Sequence, residues 1–223
     1  MLRTLPLLAP AFAASRHHDT AMMKTLLRAS LLLSAAIAWP TSQTTAQTVS
    51  LTGEVTEQNG TFGLLDTSVV LQSGALDLSN LVGQRLDLTG TLLPGSTPPQ
   101  ITVDSSAPAP SRLRITGDNR IGGTFSLRLT DTTAISYYVL VSLGEGFLPL
   151  DPLFPHVHGS LFLDTSILIT LSSGPLTEEW IMDIAIPNDP SFAGLELLFQ
   201  ASVTYAGVLG ESWGNMARTT VET

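Results

Sequence analysis

Residues 195–205, LELLFQASVTY, constrain the fold more than any other stretch of the chain. Leu195, Leu197, Phe199, Ala201, Val203 and Tyr205 alternate with Glu196, Leu198, Gln200, Ser202 and Thr204. Eleven residues of period 2 put the two sets on opposite sides of a strand, which a helix of period 3.6 cannot do. The pattern predicts one buried face and one mostly wet face. Phe125, Leu127 and Leu129 repeat it against Ser126, Arg128 and Thr130, and 135–143, 160–171, 178–186 and 215–221 supply further strands. Turn signals separate them: Gly122-Gly123, Gly144-Glu145-Gly146 and Ser173-Gly174-Pro175. Asp189-Pro190-Ser191-Phe192-Ala193-Gly194 has the cap, first-turn proline and terminal glycine of one short helical turn. Seven or eight antiparallel strands over 112–223 predict a two-sheet sandwich of immunoglobulin-like or jelly-roll type.

A second β segment precedes it. Over 47–104, Val49, Leu51 and Val55 share a face, with Gly53 at an expected bulge or bend. Asn59-Gly60 is a strong hairpin signal before Phe62 and Leu64. Asp77 to Gly83 reads as one helical turn stopped by glycine. Leu86, Leu88 and Leu92 alternate again, and Ile101 and Val103 close the segment. Five short strands with one helical turn predict a small OB-like barrel. Residues 105–111, rich in Ser, Ala and Pro, are expected to form an unpaired linker. The fold class is therefore all-β, a barrel and then a sandwich.

The start of the chain has another character. Lys24 and Arg28, the apolar run Leu26 to Ala38, and Thr44-Thr45-Ala46 follow the pattern of a secretory signal peptide. Residues 1–46 are read as leader, with translation starting at Met22 or Met23. An exported chain could use disulfides, yet no cysteine occurs among the 223 residues, so the core alone must hold the fold. Without Arg3, Arg16, Lys24, Arg28 and Asp19, six basic and eighteen acidic residues remain, a net charge of −12. No lysine is among them. Nucleic-acid backbones and anionic membranes both call for clustered cations, so neither is an expected partner.

Two stretches carry a resemblance. PLDPLFPHVHGSLFLD and IPNDPSFAGLELLFQASV, with the Trp-Gly-Asn-Met-Ala ending, resemble a C-terminal β-sandwich of secreted proteins of environmental bacteria. The resemblance spans about 112–221 and implies export and a sandwich, but no catalytic residues. Residues 48–104 resemble the small OB-type modules of exported bacterial proteins.

Gly210-Glu211-Ser212-Trp213-Gly214 spells the G-x-S-x-G nucleophile elbow. An elbow needs a following helix and a later histidine. Eleven residues follow Ser212, none of them histidine, so the expectation is a loop with Trp213 on the sandwich edge. A reversed order would draw on His156 or His158 with Asp164 or Asp183. His156-Val157-His158 places two imidazoles on one side of a strand, with Asp151 and Asp164 as oxygen donors, but falls short of four zinc ligands. Glu178 and Glu179 are adjacent in a strand and point apart, so they cannot flank one glycosidic bond. Asp118, Asn119 and Asp189 lack the spacing of a calcium loop. No cofactor loop occurs and no metal is expected. Tyr138, Trp180 and Trp213 are the candidates for stacking on sugar rings, and Asn59-Gly60-Thr61 is a glycosylation sequon. With Phe62 as its only aromatic and Arg85 as its only cation, the barrel makes a poor groove for single strands.

The expected function is a non-catalytic structural or interaction protein of the bacterial cell surface. An extracellular fibre is its sharper form, with the segment Thr41 to Ser50 and the strand around Val221 as candidate swapped strands. A carbohydrate-binding module is the alternative and a serine hydrolase the remote one.

Overall fold

Asn59 and Gly60, both at positive φ, close a two-residue hairpin between β1 (Gln47–Gln58) and β2 (Thr61–Leu64), as that dipeptide requires. The computed structural model describes residues 45–207 and 210–223. The leader and its start sites lie outside them. β3 (Val70–Ser73), a short 3-10 turn at Leu78–Leu81, β4 (Arg85–Leu92) and β5 (Gln100–Pro108) complete a closed barrel. Its strand order is β1-β2-β3-β5-β4, with β3 and β5 parallel. This is a five-stranded Greek-key barrel of OB type, with the helical turn between the third and fourth strands. Asp77 caps that turn by accepting from Ser79 N at 3.0 Å.

Two details depart from expectation. Register runs unbroken through Gly53, which pairs with Leu86. The irregularity falls at Thr89/Gly90 instead, where a Cβ on Gly90 would sit 2.4 Å from the Thr102 carbonyl oxygen. The supposed linker is also strand as far as Pro108, paired with Leu86 to Thr89. Beyond Val103 β4 is this strand's only neighbour among the described residues, so the N–H that Pro108 lacks faces no ladder there.

The remaining strands are β6 (Arg112–Gly117), β7 (Thr124–Asp131), β8 (Ala134–Ser142), β9 (Glu145–Pro149), β10 (Val157–His158), β11 (Ser160–Leu163), β12 (Leu168–Pro175), β13 (Glu178–Ala185), β14 (Glu196–Tyr205) and β15 (Glu211–Thr220). Segment 160–171 is thus two strands, parted by a 3-10 turn at Thr165–Ile167 that Asp164 caps. A five-stranded sheet, β10-β15-β14-β8-β12, faces a three-stranded one, β13-β7-β6. Phe125, Leu127, Leu129, Tyr137, Val139, Phe199 and Val203 fill the space between, with Phe125 edge-on to Phe199 at 5.9 Å. This is the expected sandwich.

The wet face of β14 is where the prediction fails. Leu198, Gln200 and Ser202 are as buried as Phe199 and Val203. The hairpin of β9 and β11 lies over that second face. Leu161, Phe162 and Leu163 join Leu140, Leu198, Trp213 and Met216 in a cluster continuous with the barrel core of Val49, Leu51, Leu88 and Ile101. Barrel and sandwich therefore share one core within one compact unit, and β14 is covered on both sides. Polar ties reinforce the seam. Ser50 N–H donates to Asp151 Oδ2 at 3.1 Å, and Ser160 Oγ–H donates to the Ser50 carbonyl at 2.8 Å. Asn215 spans the two sheets like a strand residue. Its Oδ1 accepts from Leu113 N and its Nδ2 donates to the Leu113 carbonyl.

Candidate functional site

The G-x-S-x-G segment lies mostly in β15, not in a loop. Ser212 pairs with Val203 of β14 and with His158 of β10. The segment that follows is strand, so the turn that exposes a nucleophile is missing. The glycines have packing reasons. A Cβ on Gly210 would stand 2.4 Å from the His156 carbonyl oxygen, and one on Gly214 would stand 3.2 Å from Ser111 Oγ. Trp213 is a core residue rather than an edge one, 5 % exposed between sheet and barrel.

The sheet does bring His158 opposite Ser212, and Asp151 Oδ1 lies 3.4 Å from His158 Nδ1. No hydrogen bond joins Ser212 to the imidazole. The Asp151 carboxylate also accepts from Ser50 N and Gly159 N, so it holds the seam between barrel and sandwich. Asp164 and Asp183 are elsewhere. Asp164 accepts from Ser166, which holds its carboxyl below the usual range, and Asp183 accepts from Ser126 Oγ at 2.5 Å. Among the described residues no group of three His, Asp or Glu side chains is placed to hold a metal ion.

The remaining candidates are also scattered. Glu179 pairs with Arg128 across β13 and β7, while Glu178 begins β13 at positive φ. Asp118 caps a turn at Arg120 N, Asn119 donates to the Thr220 carbonyl, and Asp189 caps the turn at Pro190–Phe192. Trp180 leans on Tyr137, ring centres 5.1 Å apart, inside the sandwich. Tyr138 and Trp213 belong to the cluster on the other side of the five-stranded sheet, and the Tyr138 hydroxyl bonds Thr170 Oγ1. The three aromatics therefore form no common platform. Phe62 packs on the barrel core, and Asn59 is exposed at the hairpin tip.

Within the motif, Glu211 is the informative residue. Burial pushes its carboxyl upward from the ordinary value of 4.5, and no cation offsets it. A raised folded pKa favours the neutral acid, so the contribution to stability is full at acid pH and falls as pH rises past that value. Glu211→Gln is therefore expected to melt higher than the parent at pH 7, with the gain vanishing near pH 4. Thermal melts at the two pH values check this.

One concave site gathers residues that no sequence motif linked. A cleft of about 200 Å3 lies where β1, β4, β6 and β15 meet, and Arg85, Arg112, Arg114 and Arg218 all line it with Glu54 and Asp66. Arg85 Nη2 donates to the Ala109 carbonyl at 2.8 Å. Arg218 bridges Glu145 and Glu196, at 2.5 and 3.1 Å. Arg112 and Arg114 enter no ion pair among the described residues. Burial and then the neighbouring Arg112 charge depress the Arg85 pKa, while burial raises that of Asp66. Four of the six cations beyond residue 46 thus converge on one cleft of an acidic chain.

No protein-family model matches the chain, and no curated protein matches it. Among the described residues no helix is long and apolar enough to cross a membrane.

Proposed function

We propose that this is a non-catalytic structural or interaction protein, exported by a bacterium to its surface or surroundings, that associates with further copies of itself. The observation that carries the reading is β12. It ends the five-stranded sheet, with β8 as its one partner among the described residues. Its eight residues, LITLSSGP, hold no charge, and Ile169 is 57 % exposed. Edge strands of monomeric proteins are commonly guarded by charge, brevity, bulges or proline. β12, with its bulge at Thr170/Ser172 and Pro175 at its end, keeps an uncharged stretch from Leu168 to Thr170 that suits pairing with another strand. The neighbouring edge, β13, carries Glu178, Glu179 and Asp183 and is guarded in that way.

The second copy enters by strand addition, its main chain bonding to the free side of β12. Pairing of β12 with β12 is isologous and closes at a dimer, whereas pairing with a different edge repeats into a fibre. The earlier candidates for exchange are less suited. Gln47 to Ser50 are committed to β4, and Val221 is buried, its N–H bonded to the Leu195 carbonyl. The local bonding of Asp164, Asp183, Glu179 and Asp189 supports a non-catalytic reading, since each carboxylate already serves a cap or a cross-strand pair.

Size-exclusion chromatography with light scattering, and negative-stain microscopy, test the proposal on the full chain. Dimers or larger species are expected at high concentration, and Ile169→Lys is expected to return them to monomer without lowering the melting temperature. A strict monomer throughout the concentration range overturns the reading.

A further inference from the structure

The cleft lined by arginines poses a question of charge. Three buried side-chain atoms among the described residues lack a hydrogen-bond partner: Arg85 Nε, Arg114 Nε and Arg218 Nε. All three belong to residues lining this one cleft. A buried donor without an acceptor costs about 1–3 kcal/mol, so such atoms are rare in native proteins and ask for a reason. The arginines are drawn from sequence positions far apart, and Arg85 and Arg112 repel one another. An anionic partner beside Arg112 and Arg114 would offset the repulsion and offer the Arg114 guanidinium an acceptor.

The cleft is also selective in ways a bare ion would not use. Its wall includes Leu65, 46 % exposed, with Ile115 and Met216. Glu54 stands on the same wall with a carboxylate that can accept from hydroxyl groups, beside Asp66, whose carboxyl already takes the Arg218 backbone N–H. Small-molecule pockets commonly run from roughly 300 to 1,000 Å3, so about 200 Å3 suits one unit of a ligand rather than a large molecule. Guanidinium forks match the two oxygens of a carboxylate, and an apolar strip beside hydroxyl acceptors matches a sugar ring.

We infer that this cleft binds an acidic sugar unit, its carboxylate on Arg112 and Arg114 and its ring against Leu65. The site lies away from β12 and does not depend on self-association. Arg85 and Arg218 hold the wall in place through Ala109, Glu145 and Glu196, so they are positioning residues.

The experiment is isothermal titration of the full chain with sodium glucuronate, with glucose and sodium sulfate as the comparison probes at matched ionic strength. Glucuronate is expected to bind at least tenfold more tightly than either. Arg112→Gln and Arg114→Gln are each expected to weaken it at least tenfold with unchanged circular dichroism and melting temperature. Arg120→Gln, an exposed arginine outside the cleft, is expected to leave it unchanged. Absence of binding at tens of millimolar overturns the inference, as does glucose binding equally well. Sulfate binding as tightly overturns the sugar assignment. Full binding in both cleft variants overturns the location.

Discussion

Gln200→Leu is expected to unfold the protein about 10 °C earlier than the parent. The side chain is wholly buried on the covered face of β14, and its amide joins that strand to the β9–β11 hairpin and to β15. Oε1 accepts from Phe162 N at 2.8 Å, and Nε2 donates to the carbonyls of Ser160 at 2.8 Å and Gly214 at 3.0 Å. Leucine fills much of the space but leaves all three backbone groups without partners. Each buried orphan costs about 1–3 kcal/mol, so a loss of about 4 kcal/mol is expected, a large part of the roughly 5–15 kcal/mol typical of a domain. At about 2–4 °C per kcal/mol for a chain of this size, that corresponds to the shift given. Urea unfolding with an unchanged m-value measures it. A loss below about 1 kcal/mol would show that other groups satisfy the three.

Asp131→Ala is the second large effect. The carboxylate is 1 % exposed at the turn between β7 and β8. It accepts from Thr133 N, Thr133 Oγ1 and Ala134 N through one oxygen and from the Tyr205 hydroxyl, at 3.0 Å, through the other. Alanine removes every acceptor while the donors stay, so a cost of about 3 kcal/mol is expected. Asp131→Asn keeps one oxygen for the turn and should cost about 1 kcal/mol. The pair also marks the alkaline limit. Burial first, and then the Asp131 charge, push the Tyr205 hydroxyl well above its ordinary 10.0. The fold favours the neutral phenol, so this group's contribution is intact below about pH 10 and is lost as pH rises beyond it. Tyr205→Phe is expected to flatten the stability profile above pH 10, and melts between pH 8 and 11 measure that. A profile as steep as the parent's would place the alkaline sensitivity elsewhere.

Gln200 also shows why the sequence was legible only in part. Its alternation with Phe199 and Ala201 identifies a strand, because neighbouring side chains must point apart. The same alternation suggests water on the Gln200 side, since polarity is normally a guide to exposure. Yet an amide can be buried if each of its atoms finds a partner, and here the partners come from residues 160, 162 and 214. Pro108 misled in the same way: a missing N–H matters only if a neighbouring strand is present to receive it.

The motif in β15 follows this logic. Two glycines around a serine have a catalytic reading and a packing reading, and the spacing is identical for both. The carbonyl of His156, more than fifty positions away in the chain, is what Gly210 makes room for. Nothing local distinguishes such a glycine from one in an elbow. The arginine cleft is the converse case. Arg85, Arg112, Arg114 and Arg218 share no motif, and Arg112 and Arg114 are brought to one side only by their alternation in β6.

The sequence by itself determined the all-β class, the Asn59-Gly60 hairpin, the barrel with its capped turn, and the longer sandwich strands β7, β8, β13 and β14. These follow from side-chain period and from backbone conformations that few residues adopt, both of which are local. Tertiary structure alone decided that barrel and sandwich share a core, that Gln200 and Trp213 lie inside it, that β12 ends its sheet among the described residues, and that four arginines meet. Those outcomes depend on which distant surface covers which face, and a one-dimensional pattern records the face but not its cover.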